Sequence, residues 1–367
     1  MAHNWLHIAK NLKKGRTILI LGPNAIPFYS TGNAQAPEMP LSQLTHQAIL
    51  TELGETLPHY HAADQLFLFK SMAMKQTAME SIEETLSARE WLPDADLLRK
   101  LVAVPFPLIL NLNPDKFLVK AFAQYAQTVS FDYLSTKYKP ASPSPPHPPT
   151  CEQPMIYNLC GSTEDALDSV ILDRYDLAQL LAQLFDKIGI PAEIRSCLQK
   201  ANHFLLLGFP LDSWYLQVFL HFLNQLDGAF DDKNHNYPIY SPVSPTNKDF
   251  VMKQFNIQHF ADARSDFEHL FRACEQLQIL RPLHDDASPA EIQIRQLVAQ
   301  KQFEQAFDLL QNQYAALDPD ALTILQSRYA GWRESKQRKT ASFQDLEVEI
   351  NRIAYAILTY AGQIQDA

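Results

Sequence analysis

Short apolar segments that alternate with helical patterns constrain the fold of this chain more than any other feature. The segments of strand type are found at 17–21, 107–113, 128–133, 155–159, 203–209, 237–242 and 257–260. The helical patterns among them are found at 41–54, 64–87, 94–103, 116–126, 173–187, 190–201 and 212–226. This alternation predicts an α/β fold with a mostly parallel, doubly wound, Rossmann-like sheet.

Residues suited to ligand binding lie at the predicted strand ends. In doubly wound sheets, ligands bind at the carboxyl ends of the strands, near a topological switch point. The residues at these ends are Gly22, Asn24, Asn113, Asp115, Cys160, Gly161, Gly208 and Asp212. Strand ends also need Gly, Asn and Asp in order to turn, so a structural explanation stays open for each residue singly.

The chain changes character near residue 285. Ser288 fits the N-cap of a helix and Pro289 its first helical position, after a linker at 281–288. Beyond the linker only helical patterns occur, at 289–300, 303–315, 318–335 and 342–364. We therefore predict an α/β domain at 1–280 and an all-α domain at 289–367.

Six prolines between Pro140 and Pro149 exclude regular structure there and predict an exposed loop inside the first domain. Whether this loop covers the ligand site or is merely an insertion stays open.

Charge and composition exclude several classes of protein. The formal net charge of -10 argues against a long basic groove for nucleic acid. No apolar run reaches the roughly 18 residues of a membrane span, and the four cysteines show no CxxC spacing. We expect a reduced cytoplasmic protein. His59 and His61 lack further metal ligands, because Asp64 fits a helix N-cap instead.

Four segments, in order, resemble the sirtuin-like (SIR2-like) NAD-binding domains of bacterial anti-phage defence proteins. They are ILILGPNAI (18–26), LNLNPD (110–115), NLCGS (158–162) and GFPLDSW (208–214). The resemblance covers roughly residues 15 to 275, and it implies NAD or a related nucleotide as ligand. The residues that it implies around this ligand are Gly22, Asn24, Asn113, Asp115, Cys160, Gly161, Ser162, Gly208 and Asp212.

The same resemblance implies hydrolysis of the glycosidic bond to nicotinamide, with Asn113 holding the ribose and a water. The family's general-base histidine corresponds to Cys160, and a thiol with a pKa of about 8.5 is a poor substitute for imidazole. Loss of a general base costs about 10²–10⁴-fold in rate. Pro23 also removes an N–H donor from the first loop, and Asn24 stands where a second glycine is expected. Both departures predict an inactive domain, a pseudoenzyme. If the domain is active, Asn113, Asp115 and Cys160 are the candidate catalytic residues.

The C-terminal helices resemble a small effector-associated adaptor domain of bacterial conflict systems, through Gln326-Ser327-Arg328-Tyr329 and Asn351-Arg352-Ile353. The resemblance implies recruitment of a protein that carries a similar domain, as a homo- or hetero-oligomer. The expected partner-binding residues are Arg328, Tyr329, Arg333, Asn351 and Arg352. A helical extension that only packs on the sheet domain is the alternative.

These observations together predict a component of a bacterial conflict system. Its sirtuin-like domain is expected to act as sensor or scaffold, and its adaptor to recruit an effector. Two alternatives stay open, an NAD glycohydrolase that depletes NAD on activation and a module that binds a nucleotide signal.

Overall fold

The structure is a computed structural model of the 367-residue chain. It describes residues 5–32, 37–54, 59–61, 64–88, 90–125, 127–135, 148–185, 190–225, 235–241, 243–255, 257, 264–283, 293–294, 297–298, 302–314, 319–338, 349–350, 352–354 and 356–357. Most of the predicted loop at 140–149 and of the linker at 281–288 lies outside these ranges. The predicted domain boundaries therefore stay predictions.

The described residues form strands and helices in the alternation that the sequence predicts. The strands are β1 (Thr17–Leu21), β2 (Pro27–Ser30), β3 (Met39–Pro40), β4 (His59–His61), β5 (Leu66–Leu68), β6 (Trp91–Pro93), β7 (Leu108–Asn111), β8 (Ser130–Tyr133), β9 (Met155–Asn158), β10 (His203–Leu207) and β11 (His235–Ile239). The helices are α1 (Trp5–Leu12), α2 (Leu41–Leu53), α3 (Met72–Ser87), α4 (Ala95–Ala103), α5 (Phe117–Gln124), α6 (Arg174–Phe185), α7 (Ala192–Lys200), α8 (Trp214–Gln225), α9 (Pro245–Gln254), α10 (Phe267–Gln276), α11 (Phe303–Tyr314) and α12 (Pro319–Arg338).

Six strands form one parallel sheet in the order β11-β10-β1-β7-β9-β8. The central strand β1 pairs with β10 along its whole length and with β7 near its carboxyl end. Its residues are buried on both faces, as expected where helices cover a parallel sheet on both sides. The predicted α/β, doubly wound fold is therefore confirmed.

Alternate residues of β1 contribute to two hydrophobic layers, because successive side chains of a strand point to opposite faces. Leu19 and Leu21 pack into the layer with helices α1, α4, α5 and α10. Ile18 and Ile20 pack into the layer with helices α6, α7, α8 and α9. The sheet therefore lies between two helical layers, with its strand ends open at either edge.

The predicted helix at 64–87 is wrong at its beginning. Asp64 precedes the short strand β5, which pairs with β4 as an antiparallel hairpin. The helix starts only at Met72, after Ser71, whose hydroxyl accepts the N–H of Met74 at 3.2 Å. Asp64 is therefore not a helix N-cap.

A second antiparallel sheet, β3-β2-β6, also lies between β1 and β7 in the chain and was not predicted. The short strand expected at 257–260 is represented by Ile257, which forms one parallel bridge with Asn236. Its other residues lie outside the described ranges.

The C-terminal helices form a hydrophobic cluster of their own. Its fully buried members are Ile294, Ala306, Leu310, Ile353 and Ile357. The helices predicted at 303–315 and 318–335 correspond to α11 and α12. No helix in the described ranges combines the length and apolar character that a membrane span needs.

Candidate functional site

The carboxyl ends of β10, β1, β7 and β9 lie side by side at one edge of the parallel sheet. The chain passes from β1 to β7 on one side, whereas it passes from β10 to β11 on the other side. This reversal between β1 and β10 is the topological switch point of the sheet. All the predicted ligand-site residues follow one of these four strands.

The turn after β1 has already used its backbone donors. Gly22 donates its N–H to the last carbonyl of β10 at 2.8 Å, and Asn24 donates its N–H to the carbonyl of Gly208 at 3.1 Å. Pro23 carries no N–H, and Ala25 donates to the carbonyl of Gly22 at 3.1 Å. None of these four residues has an N–H left for a phosphate.

Glycine is required on both sides of this turn because two backbones touch. A Cβ atom on Gly22 would lie 2.3 Å from the carbonyl oxygen of Gly208. A Cβ atom on Gly208, whose φ is +64°, would lie 2.2 Å from the backbone nitrogen of Ala25. Both distances are far below van der Waals contact, so the two glycines serve the approach of protein to protein.

No helix begins directly after this turn. The chain continues into β2, which starts at Pro27. A pyrophosphate loop normally opens the N-terminus of a helix, whose N–H groups and dipole bind the phosphates. The segment after β1 therefore lacks both features of a pyrophosphate cradle.

Buried asparagine side chains join the ends of β1, β7 and β9. Asn113 donates its Nδ2 to the carbonyl of Gly22 at 3.2 Å, and its backbone N–H donates to Oδ1 of Asn111 at 3.0 Å. Asn111 donates to Oδ1 of Asn158 at 3.0 Å, and Asn158 donates to the carbonyl of Asp115 at 2.9 Å. The amide of Asn113 thus helps to hold three strand ends together.

Asp115 carries a buried carboxyl group, with 5% of the residue exposed. Its Oδ1 accepts the N–H of Phe117 at 2.8 Å. Burial raises the pKa of Asp115 to about 6, although the hydrogen bond from Phe117 opposes the rise. A carboxyl group with this pKa changes its protonation near neutral pH, where general acids and bases operate.

Cys160 packs against the apolar layer that contains α6 and α8. Burial raises the pKa of its thiol to about 12, so the thiol is protonated at neutral pH. A buried protonated thiol behaves as a small apolar side chain and is neither a base nor a reactive thiolate. The side chain at the position of the family's histidine is therefore a packing residue.

The turn after Cys160 closes on the short helical segment 167–169. Gly161 has a φ of +88°, and a Cβ atom on it would lie 2.3 Å from the carbonyl oxygen of Ser169. Ser162 donates its N–H to Oγ of Ser169 at 2.9 Å and its hydroxyl to Asp165 at 2.6 Å. Backbone contact and hydrogen bonds within the protein occupy this turn too.

Asp212 is exposed and turns toward α9. Its Oδ2 accepts the N–H of Ser244 at 2.6 Å, and its Oδ1 accepts the Ser244 hydroxyl at 3.0 Å and Nδ2 of Asn247 at 2.9 Å. Ser244 immediately precedes α9, and a carboxylate stabilises the N-terminus of a helix. Asp212 therefore connects the turn after β10 to α9.

The structure joins Gly22, Asn24, Asn113 and Gly208 by direct hydrogen bonds at the switch point. Asp115 is linked to this group through the asparagine side chains, whereas Cys160, Ser162 and Asp212 bind or contact other parts of the fold.

Sequence analysis missed Arg264, which reaches the same edge. Its guanidinium group lies 4.0 Å from the ring centre of Tyr240 and donates to the carbonyl of Asn24 at 3.4 Å. It also donates to Glu38 at 2.7 Å, a residue 226 positions away in the chain. No local pattern marks a pair at such a separation.

Lys75 is a second residue that the sequence did not single out. It is 4% exposed, and its Nζ donates to Asp176 at 2.6 Å and to Asp173 at 2.7 Å. A lysine is almost never buried without such partners. The pairing joins α3 to the start of α6, directly after the turn that carries Cys160.

The described residues contain no group of three or more His, Cys, Asp or Glu side chains that could hold a metal ion. His61 lies 3.0 Å from a carboxylate oxygen of Asp64, and that pair is the contact of its Nδ1.

The arginines expected to bind a partner are paired inside the C-terminal helices. The ion pairs are Arg328–Glu349 at 2.6 Å, Arg333–Glu304 at 3.6 Å and Arg352–Glu349 at 3.8 Å. Asn351 lies outside the described residues. These arginines therefore have an internal role, whatever they bind besides.

A groove of about 320 Å³ lies between α11 and α12. Phe307 and Tyr329 provide its apolar part, and Glu304, Asp308 and Glu334 provide most of its charge. Burial and the neighbouring Glu304 raise the pKa of Tyr329 to about 12, so its hydroxyl stays protonated. The groove is open to solvent beside two of the predicted partner-binding residues, Tyr329 and Arg333.

Two family models match the chain. The model described as "SIR2-like domain" matches residues 107–260, which include the strand ends of β7, β9 and β10. The model described as "Effector-associated domain 11" matches residues 292–365, which include α11 and α12. A search of curated proteins found no match. The chain therefore contains a SIR2-like domain followed by an effector-associated domain.

Proposed function

We propose that this chain is a component of a bacterial conflict or anti-phage defence system. Its SIR2-like domain is catalytically inactive and acts as a sensor or scaffold. Its effector-associated domain recruits a partner protein. The pair of domains supports a place in such a system, and the geometry of the switch point supports the loss of catalysis.

The observation that carries the proposal is the turn after β1. SIR2-like domains typically bind NAD, whose pyrophosphate needs backbone donors at this place. The N–H groups of Gly22, Asn24 and Ala25 are bonded to protein carbonyls, and Pro23 has none. The residues present here do not fit a bound pyrophosphate.

Cys160 supports the same conclusion independently. Its buried thiol is protonated at neutral pH and cannot accept a proton as the family's histidine does. Loss of a phosphate site and loss of a base at two separate strand ends are both expected of a domain that no longer turns over its ligand.

One observation favours the competing function, hydrolysis of NAD. Asp115 is a buried carboxyl group whose pKa is raised to about 6, and it follows Asn113 by two positions. Such a group can exchange a proton at neutral pH without help from Cys160.

The test is NAD consumption by the purified full-length chain at high protein concentration, followed by chromatography over hours. We expect no loss of NAD from the wild type, from Asn113→Ala or from Cys160→His, with circular dichroism confirming that each variant is folded. Loss of NAD that Asn113→Ala abolishes would overturn the proposal and establish a working hydrolase. A gain on Cys160→His would show that the ligand site is intact and only the base is missing.

A further inference from the structure

We propose that the effector-associated domain binds a second copy of this chain. The basic face of helix α12 in one copy enters the acidic groove between α11 and α12 of the other. This inference rests on the recruiting role proposed above, and it names the partner as a matching module of the same sequence.

The groove carries one carboxylate that the module does not neutralise. Glu304 pairs with Arg333, and Glu334 pairs with Arg338 at 2.6 Å. Asp308 lines the same groove, is exposed, and has no ion-pair partner among the residues that the structure describes. The groove therefore attracts a cation.

The opposite charge stands on the same module. Lys336 is exposed near the end of α12, and its Nζ lies 4.9 Å from the ring centre of Trp332. In the described part of the chain it has no carboxylate partner, whereas Arg328, Arg333 and Arg338 each have one. Lys336 is thus the cation of α12 that is left for an external carboxylate.

Lys336 is not positioned to fill the groove of its own copy. The groove is lined by the face of α12 that contains Ala330, Arg333 and Gln337, and Lys336 is not among its lining residues. A pair between Lys336 and Asp308 therefore joins two copies. Because the two patches differ, the contact is head-to-tail and leaves one patch open at each end of an assembly.

A lysine side chain suits this groove chemically. Its aliphatic stem can pack on the ring of Tyr329 and on Ala330 while its ammonium group meets Asp308, as amphipathic side chains commonly do. An exposed ion pair changes an association constant by about fivefold at most, and salt screens it. We therefore expect weak association that decreases as salt rises.

The experiment is sedimentation velocity of the full-length chain from ten to several hundred micromolar, in low and high salt. We expect reversible self-association in low salt that salt weakens. Asp308→Lys and Lys336→Glu each replace attraction by repulsion and are expected to weaken association roughly tenfold. An equimolar mixture of the two variants restores complementary pairs and is expected to recover association. Gln305→Lys, which adds a lysine to α11 outside the groove, is the matched control.

Three outcomes would overturn the inference: a monomeric wild type, association that survives both charge reversals, or a mixture that fails to associate although both variants keep the wild-type circular dichroism spectrum and melting temperature. The milder Asp308→Asn, expected to weaken association without repulsion, replaces Asp308→Lys if the reversal unfolds the module. A monomeric wild type would leave the NAD results untouched, so the two proposals fail separately.

Discussion

Asp115 shows how a single position at a strand end links protonation to folding. Its carboxyl group is buried where β7 ends, and burial disfavours the ionised form. The pKa in the folded state, about 6, is higher than the ordinary value of 3.8. The folded state therefore binds the proton more tightly, and the contribution of Asp115 to stability is fully present below pH 4. It is lost as pH rises through 6.

We predict that Asp115→Asn raises the free energy of unfolding at pH 7 by about 2–3 kcal/mol and leaves it nearly unchanged at pH 4. The asparagine stays neutral at every pH, and its Oδ1 can still accept the N–H of Phe117. Denaturant unfolding of wild type and variant between pH 4 and pH 8 measures the difference. Asp249→Asn, on the exposed side of α9, is the control. An effect that does not depend on pH would contradict the prediction.

Helices α3 and α6 depend on one buried cation. Lys75 contacts Asp173 and Asp176, and Asp176 also accepts the N–H of Leu172 at 3.1 Å. Removing only the lysine would leave two carboxylates in a buried place without a counter-charge. Such a change typically costs more than the intact pair contributes.

We predict that Lys75→Met lowers the free energy of unfolding by about 3–5 kcal/mol. Adding Asp173→Asn and Asp176→Asn to it should recover part of the loss, because no uncompensated charge then remains. Lys120→Met is the matched control, since its pair with Glu164 is partly exposed and is worth less than about 1 kcal/mol. Equal effects of Lys75→Met and Lys120→Met would refute the argument.

The sequence predicts the parallel sheet well because its central strands are apolar on both faces. TILIL and HFLLL admit no amphipathic helix of useful length, so β1 and β10 are recognisable without tertiary information. The hairpin of β4 and β5 is different. Leu66 and Phe67 continue the apolar spacing of α3, and the break at Gln65, with a φ of +57°, has no glycine to announce it.

The candidate site is predictable only in part for the same reason. Strand ends such as Asn113 and Gly208 follow from the strands and could be located from the sequence. The partners of Arg264 and Lys75 could not, because their contacts join segments that are 226 and about 100 positions apart. Burial of Cys160 was expected, whereas the bonding of every donor after β1 appears only in three dimensions.

The whole molecule contains separate hydrophobic clusters for its sheet and its C-terminal helices. The clusters that flank the sheet contain no residue beyond 283, and the C-terminal cluster contains none before 294. We infer that the two parts unfold as separate cooperative units, which would agree with a domain boundary near 281–288.

We predict two transitions in the calorimetric melt of the full-length chain. Phe307→Ala should lower only one of them, because it removes a 4% exposed ring from the C-terminal cluster at a cost of about 3–5 kcal/mol. Phe122→Ala, in the layer beside α5, should lower only the other. A single transition that both variants shift alike would show that the chain unfolds as one unit.

The position of β1 in the sheet has a consequence for synthesis on the ribosome. Thr17 pairs with His203, roughly 190 residues later in the chain. At about 5–20 residues per second, the partner strand emerges on the order of 10 s or more after β1. During that interval an apolar strand with an open edge waits for its neighbour. We expect nascent chains that end before β10 to need chaperone protection, although β7 is already available.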